Sequence, residues 1–384
     1  MNKVGLITYH AAQNNGSFLQ AYALEKKISK IEGYKCDIIN FYSYEQEELY
    51  SVFKKNNSFR NIAKNCVACL NYRNLKKRHD DFDNIVNNSM SLSKKCYKTL
   101  EELDEAENEY DIFVSGSDQI WNVDAWDYND AYFLSFVNNK PKISYASSFG
   151  GKIDSKKAQN YSDNVRKFLN EYDSIAVREV KGQKYAKSLV DRDVQVVLDP
   201  TFLLDQQDYD KICADRLVEG DYIFFYSIDY NDAALKIVKK FAEINNLPVV
   251  VVYSGDNKSY KTLKYGFKML KEAAPNHFLS LIKHAKYVLS TSFHGTVFSI
   301  IYNKQFFTVR GTENGKINND DRLTTILSRL GLEDRQLSEL SKEEDYRPSD
   351  IDYSIVNPKL AEARQESVDY LVNALNKASE KVKG

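Results

Sequence analysis

The feature that most constrains this chain is a repeated alternation of short, β-branched apolar runs with amphipathic stretches of helical period, the signature of parallel α/β sheets. Residues 4–8 read as a buried strand and 19–28 as the helix after it. Further strands are expected at 36–41, 112–115, 142–146, 174–177 and 194–198, with helices at 155–169 and 179–188. A second series begins with strands at 222–227, 248–253, 287–291 and 305–309, and helices at 232–245, 275–284, 298–302 and 324–330. The polar stretch from about Leu204 to Asp221 separates the two. The expectation is two Rossmann-like domains facing a cleft, 1–210 and 211–384, and 384 residues suffice for two cores. Residues 358–381 carry apolar side chains at helical spacing (Leu360, Ala363, Val368, Leu371, Leu375), and this terminal helix is expected to cross back to the first domain.

Composition narrows the function classes. With 53 Lys plus Arg against 54 Asp plus Glu, the formal charge is -1, which argues against a generic polyanion binder and leaves no nucleic-acid partner expected. Only 15 Gly and 6 Pro, with 28% charged residues, exclude a collagen-like or disordered chain. No stretch approaches the ~18 uncharged apolar residues of a membrane span. The N-terminus enters directly into a strand, so a cytoplasmic protein without signal peptide or anchor is expected. Five irregularly spaced cysteines fit reduced thiols. Cys66-Val67-Ala68-Cys69 is a lone CxxC with only His79 nearby, short of a structural zinc's ligand set, and no metal is expected.

A helical insertion at about 50–108 differs from the rest. Residues 51–79 hold Lys54, Lys55, Arg60, Lys64, Arg73, Lys76, Lys77 and Arg78 and no acid, with Phe59, Ile62, Cys66 and Cys69 or Leu70 at helical spacing. Such a cationic amphipathic helix suits peripheral attachment to an anionic inner membrane face or a phosphorylated acceptor. Alternatively it is a solvated face over its own domain, neutralised by the acidic run Glu101, Glu102, Asp104, Glu105, Glu107 and Glu109.

Three turns of small residues follow strands of the first series, where open α/β sheets bind ligands. After the first strand come Tyr9-His10 and Asn15-Gly16-Ser17, whose N–H groups at a helix start offer an anion site. The second holds Gly116-Ser117-Asp118 with Trp121, a candidate for stacking on a sugar, and the third holds Ser147. Neither GxGxxG nor GxxxxGK[ST] is present, so no NAD or ATP is indicated. Arg178 follows a strand, where a guanidinium can hold phosphate or carboxylate. The sharpest feature is Ser292-Phe293-His294-Gly295-Thr296, which sets an imidazole at a turn between strand and apolar helix, placed for proton transfer near neutrality. Arg310, Lys316 and Arg322 follow the next strand and offer charge to an anionic donor.

Taken together, the chain resembles the polysaccharide pyruvyl transferase family. The resemblance rests on Tyr9-His10 with Asn15-Gly16 and Leu19-Gln20-Ala21-Tyr22; Gly116-Ser117-Asp118-Gln119-Ile120-Trp121-Asn122; Tyr145-Ala146-Ser147-Ser148-Phe149-Gly150; Val177-Arg178-Glu179; Leu198-Asp199-Pro200-Thr201; and Ser292-Phe293-His294-Gly295-Thr296. It implies a fold similar to GT-B glycosyltransferases. It also implies transfer of pyruvate from phosphoenolpyruvate, a donor substrate rather than a cofactor, onto a sugar as a cyclic ketal. The family's catalytic His looks like His294 and its Arg like Arg178. Its Lys is nearest to Lys316, with Arg310 and Arg322 as substitutes. The acceptor is expected to be a sugar of a surface-polysaccharide precursor, and the cationic segment favours a lipid-linked oligosaccharide. A GT-B-type glycosyltransferase using a nucleotide sugar, or a non-catalytic sugar-binding protein, would also suit this architecture.

Overall fold

Apolar runs become strands here because both faces of each sheet are covered; Val249–Val252, four valines in succession, is buried throughout. The computed structural model describes residues 1–151, 153–254, 258–313, 316–317, 320–347 and 349–383, and the side chains of Glu313 and Lys316 are outside the described part. The chain divides into two α/β units. The first comprises Met1–Tyr72, Val86–Leu204 and residues 361–383, and the second Arg73–Ile85 and Asp205–Leu360.

In the first unit β1 (Asn2–Ile7), β2 (Tyr34–Ile38), β3 (Ile112–Ser115) and β4 (Lys142–Ser144) form a parallel sheet in the order β2-β1-β3-β4. The parallel pair β5 (Ile175–Val177) and β6 (Val194–Val196) continues it, bridged at Ile143↔Ser174 and Ser147↔Val177. The chain leaves β1 for β2, then returns past β1 to β3, so the direction of winding reverses between β1 and β3. Ligands of open sheets bind outside the strand ends at such a reversal.

The second unit holds β7 (Ile223–Tyr226), β8 (Val249–Val252), β9 (Lys268–Leu270), β10 (Tyr287–Ser290) and β11 (Gln305–Val309). A small hairpin of β12 (Thr312–Glu313) and β13 (Lys316–Ile317) precedes β14 (Gln336–Leu337). The sheet order is β14-β11-β10-β7-β8-β9, with parallel pairing, and the reversal falls between β7 and β10.

Several elements depart from expectation. The helix expected at 298–302 spans Phe293–Ile301, so His294 lies in its first turn rather than in a preceding loop. The single helix expected at 155–169 is two, Lys156–Asn160 and Ser162–Asn170, meeting at Tyr161. The terminal helix is Tyr353–Lys383. It starts in the second unit, where Tyr353 Oη donates to Lys304 O at 2.5 Å, and ends in the first, where Tyr370 Oη donates to Ser144 O at 2.9 Å and Ser367 Oγ accepts from Leu198 N at 3.0 Å. The insertion forms helices Tyr44–Tyr50, Phe59–Leu70, Tyr72–Ser89 and Leu100–Leu103; Cys66 and Cys69 are exposed on the second. No helix among the described residues is long and apolar enough to cross a membrane.

Candidate active site

At the reversal of the first sheet the loop after β1 feeds the helix Asn15–Ser29, and Asn14 caps it, its Oδ1 accepting from Gly16 N at 2.8 Å and Ser17 N at 3.3 Å. Ser17 Oγ donates to Asp118 Oδ2 at 2.5 Å. The positive end of this helix is therefore satisfied by the chain's own amide and carboxylate. At the expected anion site of Asn15, Gly16 and Ser17, the N–H groups of Gly16 and Ser17 are thus engaged by Asn14, and all three residues are buried.

Asp118 reaches that position from the end of β3 in a left-handed conformation, φ 75°. Gly116 beside it has no room for a Cβ, which would lie 2.9 Å from Leu6 Cδ1 and 3.0 Å from Thr8 Cβ. Ser117 Oγ donates to Asp199 Oδ2 at 3.1 Å, and Ser147 Oγ donates to Gly116 O at 2.8 Å. Arg178 ties these loops together. Its Nη1 donates to Asp199 Oδ2 at 2.8 Å, Nη2 lies 3.8 Å from Asp118 Oδ1, and Nε lies 3.9 Å from Glu179 Oε2. Its side chain is 2% exposed. Three carboxylates thus surround the cation expected to meet phosphate, and the guanidinium holds the ends of β3, β5 and β6 in place.

Trp121 also departs from expectation. Its ring is 1% exposed and stacks on Phe133 at 4.9 Å and 7°, with Phe149 and Tyr172 around it, and Nε1 donates to Tyr132 O at 3.1 Å. An indole whose face and N–H are both satisfied in the core is not available to a sugar.

The second unit's reversal is built differently. Ser290 Oγ, at the end of β10, accepts from Ser292 N at 2.9 Å and turns the chain into the helix Phe293–Ile301. Gly295 is required there, because a Cβ would meet Ser290 Oγ and sit 2.7 Å from Ser290 Cβ. Ser292 is the N-cap residue but its side chain makes no capping bond, while Thr296 N donates to Ser292 O at 3.2 Å. His294 is in the first turn, 7% exposed, its ring edge-on to Phe293 at 5.2 Å and 81°. The guanidinium of Arg322 lies over the Phe293 ring at 5.6 Å, aimed by a bidentate pair with Asp320 of 2.9 and 2.7 Å.

Arg310, at the end of β11, is buried; burial lowers its pKa, Asp320 opposes and Arg322 adds to the fall, yet it stays a cation at working pH. Burial alone would raise Asp320, but the hydrogen bonds and charge of Arg322, with Arg310, hold its carboxyl below the usual range. A cavity of about 420 Å³ opens beside these groups, lined by Asp229, Asn231, Thr291, Arg310 and Asp320 among others, a size suited to a small-molecule ligand.

The structure therefore brings together Ser17, Ser117, Asp118, Ser147 and Arg178 in the first unit; in the second, Ser292, His294, Gly295 and Thr296 share one helix start, Arg322 lies over Phe293 there, and Arg310 lines the cavity with Thr291 and Asp320. The side chain of Lys316, on β13, is outside the described residues. Sequence reasoning missed Asn14 and Asp320, each of which carried the signal of an Asx residue ahead of a helix, and gave Asp199 no role.

Among solved structures, the chain is similar to a UDP complex of MnaA from S. aureus at 11% identity, over 98% of this chain and 97% of that one, with TM-score 0.50. It is similar to UDP-GlcNAc 2-epimerase from Methanocaldococcus jannaschii at 11% identity over 93% and 92% (TM-score 0.50), and to that from Neisseria meningitidis at 9% over 98% and 100% (TM-score 0.50). The likeness is one of fold, GT-B-like. No curated protein matches the chain. A sequence profile of the polysaccharide pyruvyl transferase family matches residues 14–312, from the Asn14 cap through the helix that carries His294, and the chain belongs to that family.

Proposed function

We propose that the protein transfers pyruvate from phosphoenolpyruvate to two hydroxyls of a sugar in a surface-polysaccharide precursor, forming a cyclic ketal. The observation that carries this reading is the first turn of Phe293–Ile301. That turn holds His294 and follows Ser292, whose side chain makes no capping bond; Arg322 lies over the ring of Phe293 in the same turn, and Arg310 lines a cavity with Thr291 at the sheet reversal. An anionic donor and a proton relay need those groups in one place.

In the reaction the methylene carbon of phosphoenolpyruvate takes a proton and the first sugar hydroxyl adds to the neighbouring carbon. Phosphate then leaves with the electrons of its bond to that carbon, and the second hydroxyl takes its place. The two hydroxyl protons balance the one gained by the new methyl group and the one carried off by phosphate. His294 moves protons, while Arg310 and Arg322 offset the charge of carboxylate and departing phosphate. Arg178 enters as a positioning residue of the first unit. Lys316, matched by motif order, would add a further cation.

The test is release of inorganic phosphate from phosphoenolpyruvate against a panel of sugar acceptors, lipid-linked ones included, with mass spectrometry of the product. A pyruvate ketal is expected, and His294→Ala should lose about 10²–10⁴-fold in kcat. Near-normal turnover by that variant removes His294 from the chemistry. Thermal stabilisation by nucleotide sugars but not by phosphoenolpyruvate would turn the reading to glycosyl transfer.

A further inference from the structure

The helix Phe59–Leu70 is packed with its apolar side outwards. At 100° per residue Phe59, Ile62, Cys66 and Leu70 share one face, and Phe59 is 93% and Leu70 87% exposed. Its inner side is polar instead. Asn65 exchanges two hydrogen bonds of 2.8 Å with the backbone of Lys54, Asn61 Nδ2 donates to Lys55 O at 3.1 Å, and Ala68 is the buried residue of the helix. A surface helix of a globular protein buries the other side. Phe53 and Tyr72, stacked at 5.7 Å, are also exposed. Among the described residues, eight of the sixteen large apolar side chains exposed to solvent lie between Tyr44 and Tyr72, a concentration in one stretch of the chain.

The charged side chains on this helix, Arg60 and Lys64, are both cations. They flank the apolar face, both exposed, and residues 51–79 contain no acid, while Glu45, Glu47 and Glu48 lie on the preceding helix. Lys55 pairs with Glu48, and Lys76 and Lys77 pair with Asp80 and Asp81, contacts of exposed groups that hold little energy. The acidic run further on is occupied locally: Glu105 pairs with Lys95, and Glu107 accepts from the backbone N–H groups of Asn138 and Asn139.

We propose that this face docks on a bilayer surface bearing anionic headgroups, with Phe59, Ile62 and Leu70 in the interface and Arg60 and Lys64 against the phosphates. A second copy of the chain is the weaker occupant, because a two-fold contact sets like patches together and would oppose cation to cation. The proposal does not rest on pyruvyl transfer. Where both hold, the acceptor is presented on a lipid carrier at the membrane.

The full chain should co-sediment with phosphatidylglycerol-containing vesicles, more weakly with phosphatidylcholine alone, and release at high salt. Phe59→Asp with Leu70→Asp should reduce binding roughly tenfold or more per side chain. Charge reversal of Arg60 and Lys64 should reduce it roughly fivefold or more per residue. All four positions are exposed, so unchanged thermal unfolding serves as the folding control. Failure of the unaltered protein to bind anionic vesicles at low salt overturns the proposal, as does full binding by the Asp variant. A dimer in light scattering that the Asp variant dissolves, without vesicle binding, assigns the face to a second copy instead.

Discussion

Arg178→Ala separates two roles for one guanidinium. The side chain is 2% exposed, bonded to Asp199 at 2.8 Å, with Asp118 at 3.8 Å and Glu179 at 3.9 Å. Those acids are also held from outside the pair: Asp199 accepts from Ser117 Oγ at 3.1 Å and Thr201 Oγ1 at 2.7 Å, and Glu179 from Ser148 Oγ at 3.0 Å and Phe149 N at 3.2 Å. Removing the cation leaves three carboxylates converging without it. Breaking a buried pair in this way costs about 3–5 kcal/mol, a large share of a total stability of about 5–15 kcal/mol. Urea unfolding should show that loss as a lowered midpoint.

Adding Asp199→Asn should recover part of it, with a coupling of roughly 0.5–3 kcal/mol, because one of the stranded charges goes. Arg178→Lys should fall between, since an ammonium cannot match the fork of a guanidinium. A cation held free for phosphoenolpyruvate predicts the reverse pattern: near-normal unfolding, a raised KM for the donor, and no rescue through Asp199. Unfolding of Arg178→Ala within about 0.5 kcal/mol of the unaltered protein would refute the positioning role.

Gly295→Ala should destabilise by about 1–3 kcal/mol, because its Cβ drives into Ser290, and denaturant titration would show it; an unchanged midpoint means β10 and its helix can part at no cost. Trp121→Ala should cost about 3–5 kcal/mol in unfolding while leaving acceptor KM unchanged in the surviving fold, whereas a selective rise in acceptor KM would return Trp121 to the sugar. Asp320 has its folded pKa depressed, so its contribution is complete above the unfolded value of about 3.9 and is lost as pH falls through the lower folded value. The gap in Tm between the unaltered protein and Asp320→Asn should be constant from neutrality down to about pH 4 and close below it; a gap indifferent to acid contradicts the Asp320–Arg322 geometry.

What the sequence made legible is what local pattern governs. Four consecutive valines can only be a doubly covered strand, and β8 is one. By contrast β9, three residues with an exposed lysine at its start, forms because β8 offers an edge to pair with, which no local period announces. The glycine after His294 marks the start of a helix in the sequence, but that its missing Cβ admits the helix against Ser290 is visible only in the packing. Asp199 shows a different limit: its meaning comes from Ser117 and Arg178, distant in sequence and set beside it by the sheet. Helical period in the basic insertion was also readable, yet period alone does not say which face turns inward, and Asn61 and Asn65 decided that.

The two sheet reversals use one device to opposite ends. In each, a parallel strand runs through a small-residue turn into a helix whose first N–H groups attract negative charge. In the first unit that demand is met internally, by Asn14 and by Asp118 through Ser17, and Arg178 then stabilises the acids gathered there. In the second, Ser292 makes no side-chain cap, and the nearby charge includes two arginines, Arg310 buried at the end of β11 and Arg322 over the ring of Phe293. A site that already holds its own anion is built for order. A helix start with cations near it suits an anion that arrives and leaves, and that asymmetry supports the proposal that places the chemistry at His294 rather than in the equally motif-rich loops of the first unit.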